Sequence, residues 1–85
     1  MHLRIIDCQD GSKFRVGVSR DKYRFGAVII PRKNFLGLTT DSSGSILLLS
    51  FKNGKRMHWE LTRHDVYSII DKFNALFDRE MAQRV

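Results

Sequence analysis

The sequence predicts an α+β fold in which an antiparallel sheet of about five strands carries one C-terminal amphipathic helix across one face. Three observations support this prediction. Two hairpin turn signals, Asp10-Gly11 and Asn53-Gly54, lie between segments that alternate apolar and polar residues. A third alternating segment, 23–30, ends at Pro31, which cannot donate a hydrogen bond to a strand ladder. From Thr62 onward the apolar residues recur with a helical period instead.

The segment from Thr62 to Val85 predicts a single helix. Its apolar residues recur every three or four positions and so share one face: Val66, Ile69, Ile70, Phe73, Leu76, Phe77 and Met81. Thr62 and Asp65 have capping-box spacing, and Leu61 and Val66 have hydrophobic-staple spacing. We expect the helix to begin at Thr62, to bury the Phe73 face and to leave Asp71 in solvent.

The Asp10-Gly11 signal sets the expected register of the first hairpin. A two-residue type I′ turn there pairs Ile5 with Val16 and places both in the core together with Leu3 and Val18. The opposite face then becomes basic, with Arg4, Lys13 and Arg15. In segment 23–30, the alternation assigns Tyr23, Phe25, Ala27 and Ile29 to the core and Arg24 to the other face.

The Asn53-Gly54 signal gives the second hairpin two apolar faces. A two-residue turn places Ile46, Leu48 and Trp59 on one face and Leu47, Leu49 and Phe51 on the other. Three large apolar side chains in one row exceed what an exposed strand normally shows. We expect a homodimer in which the second copy covers Leu47, Leu49 and Phe51. The alternative is burial of this row inside the monomer, under the segment 31–44 or the first hairpin.

The segment 31–44 predicts a long irregular loop, because fourteen residues exceed the usual connection in a compact domain. Arg32 and Lys33 stand beside Phe35 and Leu36, so the loop combines positive charge with apolar area. Two interpretations remain open. Either the loop binds a partner, or it folds Phe35 and Leu36 back under the sheet.

The positive charge is unevenly distributed. The net charge is +6, and residues 1–60 hold eleven Lys and Arg against five acids, whereas residues 61–85 hold four of each. The whole excess therefore precedes the helix. Such segregation is typical of a surface that binds nucleic acid or another polyanion, and the alternative is an ordinary solvated charged surface.

Several classes of protein are not expected. The chain has no P-loop, zinc-protease or serine-hydrolase motif and no spaced Cys/His cluster, so we expect no enzyme, no metal and no cofactor. No apolar run approaches the length of a membrane span. The single Cys8 cannot form an intramolecular disulfide, which favours a reducing, cytoplasmic location. It stands near Lys13, which would favour a thiolate, or it is simply a small buried apolar residue.

The sequence therefore predicts one small basic domain, 1–85, that binds single-stranded nucleic acid through a basic sheet face. Cations would follow the phosphates and aromatic rings would stack on bases. The candidate residues are Arg4, Lys13, Arg15, Arg24, Arg32, Lys33, Phe35, Phe51 and Arg56. The alternative is a protein-interaction inhibitor or adaptor, of the kind that phages and mobile elements encode. Its Leu47, Leu49 and Phe51 row would dock an acidic partner in a nucleic-acid-handling protein complex.

The end of the sheet also carries an architectural resemblance. Glu60-Leu61-Thr62 ends a strand and is followed by Val66, Ile69 and Ile70 on a helix. This arrangement resembles the single-stranded-DNA-binding coactivators of the positive-cofactor-four type, in which a curved sheet precedes one long helix. The resemblance implies binding of single-stranded DNA and dimerisation through the helix.

Overall fold

The computed structural model describes residues 1–82. It contains the following elements: β1 (His2–Asp7), β2 (Lys13–Val18), β3 (Lys22–Phe25), β4 (Val28–Pro31), a 3₁₀ turn (Arg32–Asn34), β5 (Phe35–Thr40), β6 (Ile46–Phe51), β7 (Arg56–Glu60) and α1 (Arg63–Ala82). The α+β class is confirmed. The strands form two antiparallel sheets, β1-β2-β3-β4 and β5-β6-β7, instead of the single sheet of about five strands that the sequence predicts.

The helix begins as predicted. The Thr62 side-chain oxygen accepts a hydrogen bond from the Asp65 N–H at 3.2 Å, and this bond caps the first turn. The predicted apolar face is buried at Val66, Ile69, Phe73 and Leu76, whereas Met81 is exposed. Asp71 lies in solvent. The predicted continuation beyond Ala82 lies outside the described residues.

Both hairpin registers differ by one residue from the prediction. Strand β1 pairs Ile6 with Phe14, and β6 pairs Leu47 with Trp59. The cause is the turn. A type I′ turn needs positive φ at both central residues, but within residues 1–82 only glycines have positive φ. Each turn therefore takes three residues, with the glycine in the left-handed region, as in a G1 bulge.

The turn hydrogen bonds show this three-residue geometry twice. In the first hairpin, the Cys8 N–H donates to the Ser12 carbonyl at 2.8 Å and the Gly11 N–H donates to the Cys8 carbonyl at 3.0 Å. In the second, Phe51 and Lys55 make the equivalent pair, and the Gly54 N–H donates to the Phe51 carbonyl. Side chains alternate between the two faces of a sheet along a strand. One extra loop residue therefore shifts the pairing by one position and moves the side chains of one strand to the opposite face.

The shifted register exchanges the two faces of β1, whereas the faces of β2 are as predicted. Leu3 and Ile5, which the sequence assigns to the core, are exposed. Ile6 takes their place beside Phe14, Val16 and Val18.

The segment 23–30 is a hairpin and not a single strand. Phe25 pairs with Val28, which leaves Gly26 and Ala27 as a tight turn. Gly26 has φ +62, a conformation that favours glycine. Tyr23 and Phe25 enter the core as predicted, but Ala27 and Ile29 are exposed because the turn reverses the chain.

The predicted 31–44 loop is largely ordered structure. After the 3₁₀ turn, β5 pairs with β6, with Leu38 opposite Leu49 and a bulge between Phe35 and Gly37. This strand was missed because its alternation is weak and a glycine interrupts it. Its pairing gives β6 neighbours on both sides, so β6 is the central strand of its sheet.

One core is shared by both sheets and the helix. Phe73 of α1 lies 5.0 Å from Phe25 of the first sheet and 5.7 Å from Phe35 of the second, measured between ring centroids. Phe14 meets Trp59 edge to face at 5.5 Å. The apolar face of α1 is thus used inside the chain, so it does not serve the dimerisation that the resemblance implies.

Candidate binding surfaces

The predicted site residues do not share one face. Lys13, Arg15 and Arg24 lie on the side of the four-stranded sheet that points away from the core, as their pairing register shows. Arg4 is exposed at the edge of the opposite side, in register with Val16. Arg56 is exposed on the outer side of the three-stranded sheet, opposite Ser50. The expected single basic sheet is therefore divided among separate surfaces.

Strand pairing brings one row of residues across the whole four-stranded sheet. Leu3 pairs with Gly17, Gly17 with Arg24, and Arg24 with Ile29. Three strand intervals make this row about 14 Å wide. We call the large aliphatic and cationic side chains on this side of the sheet the outer face, which Asp7 adjoins at Lys13; its members are exposed except Arg24, which is half-buried: Met1, Leu3, Ile5, Lys13, Arg15, Lys22, Arg24 and Ile29.

The outer face exposes four large aliphatic side chains. The exposed fractions are 58% for Met1, 46% for Leu3, 51% for Ile5 and 53% for Ile29. Gly17 lies beneath them, and a Cβ atom built there would come 2.6 Å from the Met1 sulfur and 3.2 Å from the Arg24 Cβ. The Met1 and Arg24 side chains therefore lie over Gly17. Met1, Leu3 and Ile5 thus lie together at the β1 edge, whereas Ile29 lies on β4 at the opposite edge.

The same face is positively charged. Lys13 forms an ion pair with Asp7, and the exposure of both partners makes that pair weak. Arg24 donates from Nε to the Gly26 carbonyl at 2.8 Å, which fixes the side chain along the sheet. Within residues 1–82, neither Arg15 nor Lys22 has an acid at ion-pair distance. The outer face thus combines an aliphatic cluster with uncompensated cations.

The two aromatic candidates lie elsewhere. The Phe35 ring is 4.8 Å from the Tyr23 ring and belongs to the internal aromatic cluster around Phe73. Phe51 is half-buried and packs against the core. No Phe, Tyr or Trp ring among the described residues lies on the outer face, because the aromatic positions of β2 and β3 point inward. The stacking platform expected of a single-strand binder is absent from this face.

Arg32 has a structural environment that the sequence did not indicate. Its guanidinium lies 5.3 Å from the Tyr23 ring centroid and 5.8 Å from that of Phe77. It donates to the Arg20 carbonyl at 2.9 Å and contacts the Met81 sulfur at 3.8 Å. Arg32 therefore connects the 3₁₀ turn to the end of α1. Neighbouring Lys33 is exposed.

The predicted dimer row of Leu47, Leu49 and Phe51 is corrected by the structure. Leu47 and Leu49 have 0% exposure and belong to the chain's own core, and Phe51 packs against it. The one-residue register shift turns this row inward, toward Trp59 and α1. Burial inside the monomer, the alternative left open by the sequence, is what the structure shows. Homodimerisation itself stays a prediction, without these residues as its interface.

The Cys8 thiol is buried, which supports its interpretation as a small buried apolar residue and not as a thiolate. Desolvation is the main cause that raises its pKa, and the carboxylates of Asp65, Asp10 and Asp7 raise it further, against a lowering hydrogen bond with Ser12. Within residues 1–82 no group of three or more His, Cys, Asp or Glu side chains is placed to hold a metal ion. In the same range, no helix is both long enough and apolar enough to cross a membrane.

Sequence reasoning missed five members of the outer face: Met1, Leu3, Ile5, Lys22 and Ile29. A three-residue reading of Asp10-Gly11 would have found Leu3 and Ile5, because this turn signal also occurs in three-residue loops with a glycine bulge. Gly26 was the signal for the β3–β4 turn that exposes Ile29. Comparison with known proteins finds no family model, no curated protein and no solved structure that matches the chain.

Proposed function

We propose that this chain is a small non-catalytic binding module that docks on another protein through its outer face. The observation that supports the proposal is that one exposed sheet surface combines aliphatic side chains on both edge strands with Arg24 between them: Met1, Leu3 and Ile5 at the β1 edge and Ile29 on β4. Protein interfaces have an apolar centre in which Arg is enriched, and a polar rim. The outer face supplies both components, with aliphatic side chains on the edge strands β1 and β4 and arginines on the central strands β2 and β3.

The charge of the face indicates the chemistry of the partner. Four cations, Lys13, Arg15, Lys22 and Arg24, stand against the single carboxylate of Asp7. A partner surface that combines acidic and apolar side chains complements this pattern and would be steered toward it. A second copy of the chain would instead place like charges opposite one another, so we do not assign the predicted homodimer to this face.

The size of the face fits a transient complex. Four strands of about 14 Å total width and six residues of about 20 Å length give a surface of roughly 300 Å². A stable complex buries about 800 Å² per partner, so flanking residues or a modest affinity are expected.

Binding of single-stranded nucleic acid is not proposed for the outer face. The predicted stacking residues Phe35 and Phe51 pack internally, and cations alone would remain to hold a strand. Exposed aliphatic side chains contribute little to a phosphate contact, whereas burial of apolar area is a major favourable term in protein association.

Selection from a random peptide display library tests the proposal. The folded protein is expected to enrich peptides in which Asp or Glu flank apolar residues. Ile5→Asp should abolish their binding, because it places a carboxylate next to Leu3 among the aliphatic side chains of the β1 edge. Leu36→Asp is the matched control, since Leu36 is 64% exposed on a different strand. Selected peptides that bind both variants equally well, or that lack acidic residues, would contradict the proposal.

A further inference from the structure

A second group of cations gathers at one end of the molecule, where three segments meet. The Lys52 N–H donates to the Asn34 carbonyl at 2.9 Å, which holds the β6–β7 turn against the 3₁₀ turn. On the other side of the 3₁₀ turn, Lys22 pairs with Pro31. We call the four exposed lysines of these segments the lysine end: Lys22, Lys33, Lys52 and Lys55.

The lysine end has little compensating negative charge. Asp21 is the acid next to it, and with Lys22, Lys33, Pro31 and Arg32 it lines an open cavity of about 410 Å³. Within residues 1–82, none of the four lysines has an acid at ion-pair distance. Of the remaining acids, Asp41 lies in the turn at the opposite end of the three-stranded sheet. Lys52 and Lys55 and this carboxylate are therefore at opposite ends of the strands.

The lysine end differs chemically from the outer face. Lys33, Lys52 and Lys55 lie on turns and Lys22 at the start of β3, and the aliphatic side chains of the outer face are absent from this end. Leu36 is exposed beside the β5 bulge, but a single exposed aliphatic residue is ordinary on a protein surface. Lys is depleted at the centre of protein interfaces, whereas flexible ammonium groups serve well as point charges for phosphate.

We propose that the lysine end binds the phosphate backbone of a nucleic acid. Lys33, Lys52 and Lys55 contact phosphates from the two adjoining turns, and Lys22 does so from the edge of the outer face. The binding is electrostatic and independent of sequence, since phosphate contacts carry no base information. The module would then hold a nucleic acid at one end and a protein on the outer face, and either interaction can exist without the other.

The expected salt dependence follows from the number of cations. Each neutralised phosphate contributes about 0.9 to the slope of log K against log[salt] for duplex DNA and about 0.7 for a single strand. Four contacts therefore give a slope of about 3 to 4. Between 50 and 200 mM salt the affinity is expected to fall by roughly 50-fold to 150-fold.

Fluorescence anisotropy with a labelled 20-nucleotide DNA, single-stranded and as a duplex, tests the proposal at 50 and 200 mM NaCl. Lys33→Ala, Lys52→Ala and Lys55→Ala are combined in one variant. This variant retains one of the four contacts, so its affinity should be far lower at 50 mM and should fall only about threefold by 200 mM. The matched control combines Arg4→Ala, Lys72→Ala and Arg79→Ala, which removes the same charge from other exposed positions.

The control should keep most of the affinity and most of the salt dependence. Failure of the unchanged protein to bind either DNA at 50 mM overturns the proposal. Equal losses in the two triple variants overturn it as well, because net charge alone would then explain binding. A third variant, Arg15→Ala with Arg24→Ala, should bind DNA normally. If it loses binding while the lysine variant keeps it, the phosphate site lies on the outer face and the lysine end is refuted.

Discussion

Replacement of Phe73 by alanine is expected to remove the side chain that joins both sheets to the helix. Phe73 is 5% exposed. Its ring centroid lies between 5.0 and 5.7 Å from those of Tyr23, Phe25 and Phe35. Two of these partners belong to the four-stranded sheet and the third to β5, so the ring contacts every layer of the core.

The magnitude follows from burial and from the fit of the rings. Truncation of Phe73 removes about 100–150 Å² of buried apolar area, which at about 25 cal/mol per Å² corresponds to roughly 2.5–4 kcal/mol. The lost ring contacts and the cavity add to this, and measured Phe→Ala substitutions in cores cost about 3–5 kcal/mol. A domain of this length has a total stability of about 4–13 kcal/mol. Phe73→Ala should therefore remove about a quarter or more of the stability.

Thermal and urea unfolding followed by circular dichroism measure the effect. A loss of about 4 kcal/mol corresponds to a fall in Tm of roughly 15–30 °C for a domain of this size. Asp71→Ala is the control on the solvent side of the same helix, two residues away, and should change stability by less than about 0.5 kcal/mol. Equal shifts for the two variants, or a cost below about 1 kcal/mol for Phe73→Ala, would refute the assignment of the buried face.

Three further expectations concern the core, the thiol and the helix start. Leu49→Glu should unfold the chain, because it places a carboxylate at a fully buried position. Circular dichroism should show the loss of folded signal, and a folded variant would show that the β6 register is wrong. Cys8 should react slowly with iodoacetamide unless urea is added. Burial raises the pKa of the Cys8 thiol in the folded state, so the stability should be fully present below about pH 8.5 and should be lost as pH rises through the folded pKa. Cys8→Ala should remove this dependence of stability on pH, and a flat pH profile of the unchanged protein would contradict the expectation. Thr62→Ala should cost about 1 kcal/mol in urea unfolding through loss of the helix cap, and an unchanged midpoint would exclude that cap.

The helix shows what local sequence can determine. Its start depends on Thr62 and its buried face on a spacing that repeats within a few residues, and both agree with the structure. The hairpin turns were also placed at the correct glycines, Gly11 and Gly54. These features are set by interactions between residues that are close in the chain, so the sequence is sufficient to predict them.

Local sequence could not show which face of each strand is exposed. In β6, Ile46 and Leu48 are as apolar as Leu47 and Leu49, and in β1 Leu3 and Ile5 compete with Ile6. The pattern alone therefore allowed either register, and the length of the turn was the deciding variable. The register and the position of β5 together determine the outer face and the lysine end. A local sequence pattern specifies neither the register nor the position of β5.

The sequence by itself determined an α+β chain with one capped C-terminal helix, two hairpin turns and a positive excess before the helix. Only the tertiary structure decided which side of each strand meets that helix and where the cations gather. The physical reason is that a one-residue change in register moves a whole row of side chains between core and solvent. The core selects the register by packing both sheets together around Phe73, through contacts between residues far apart in the chain.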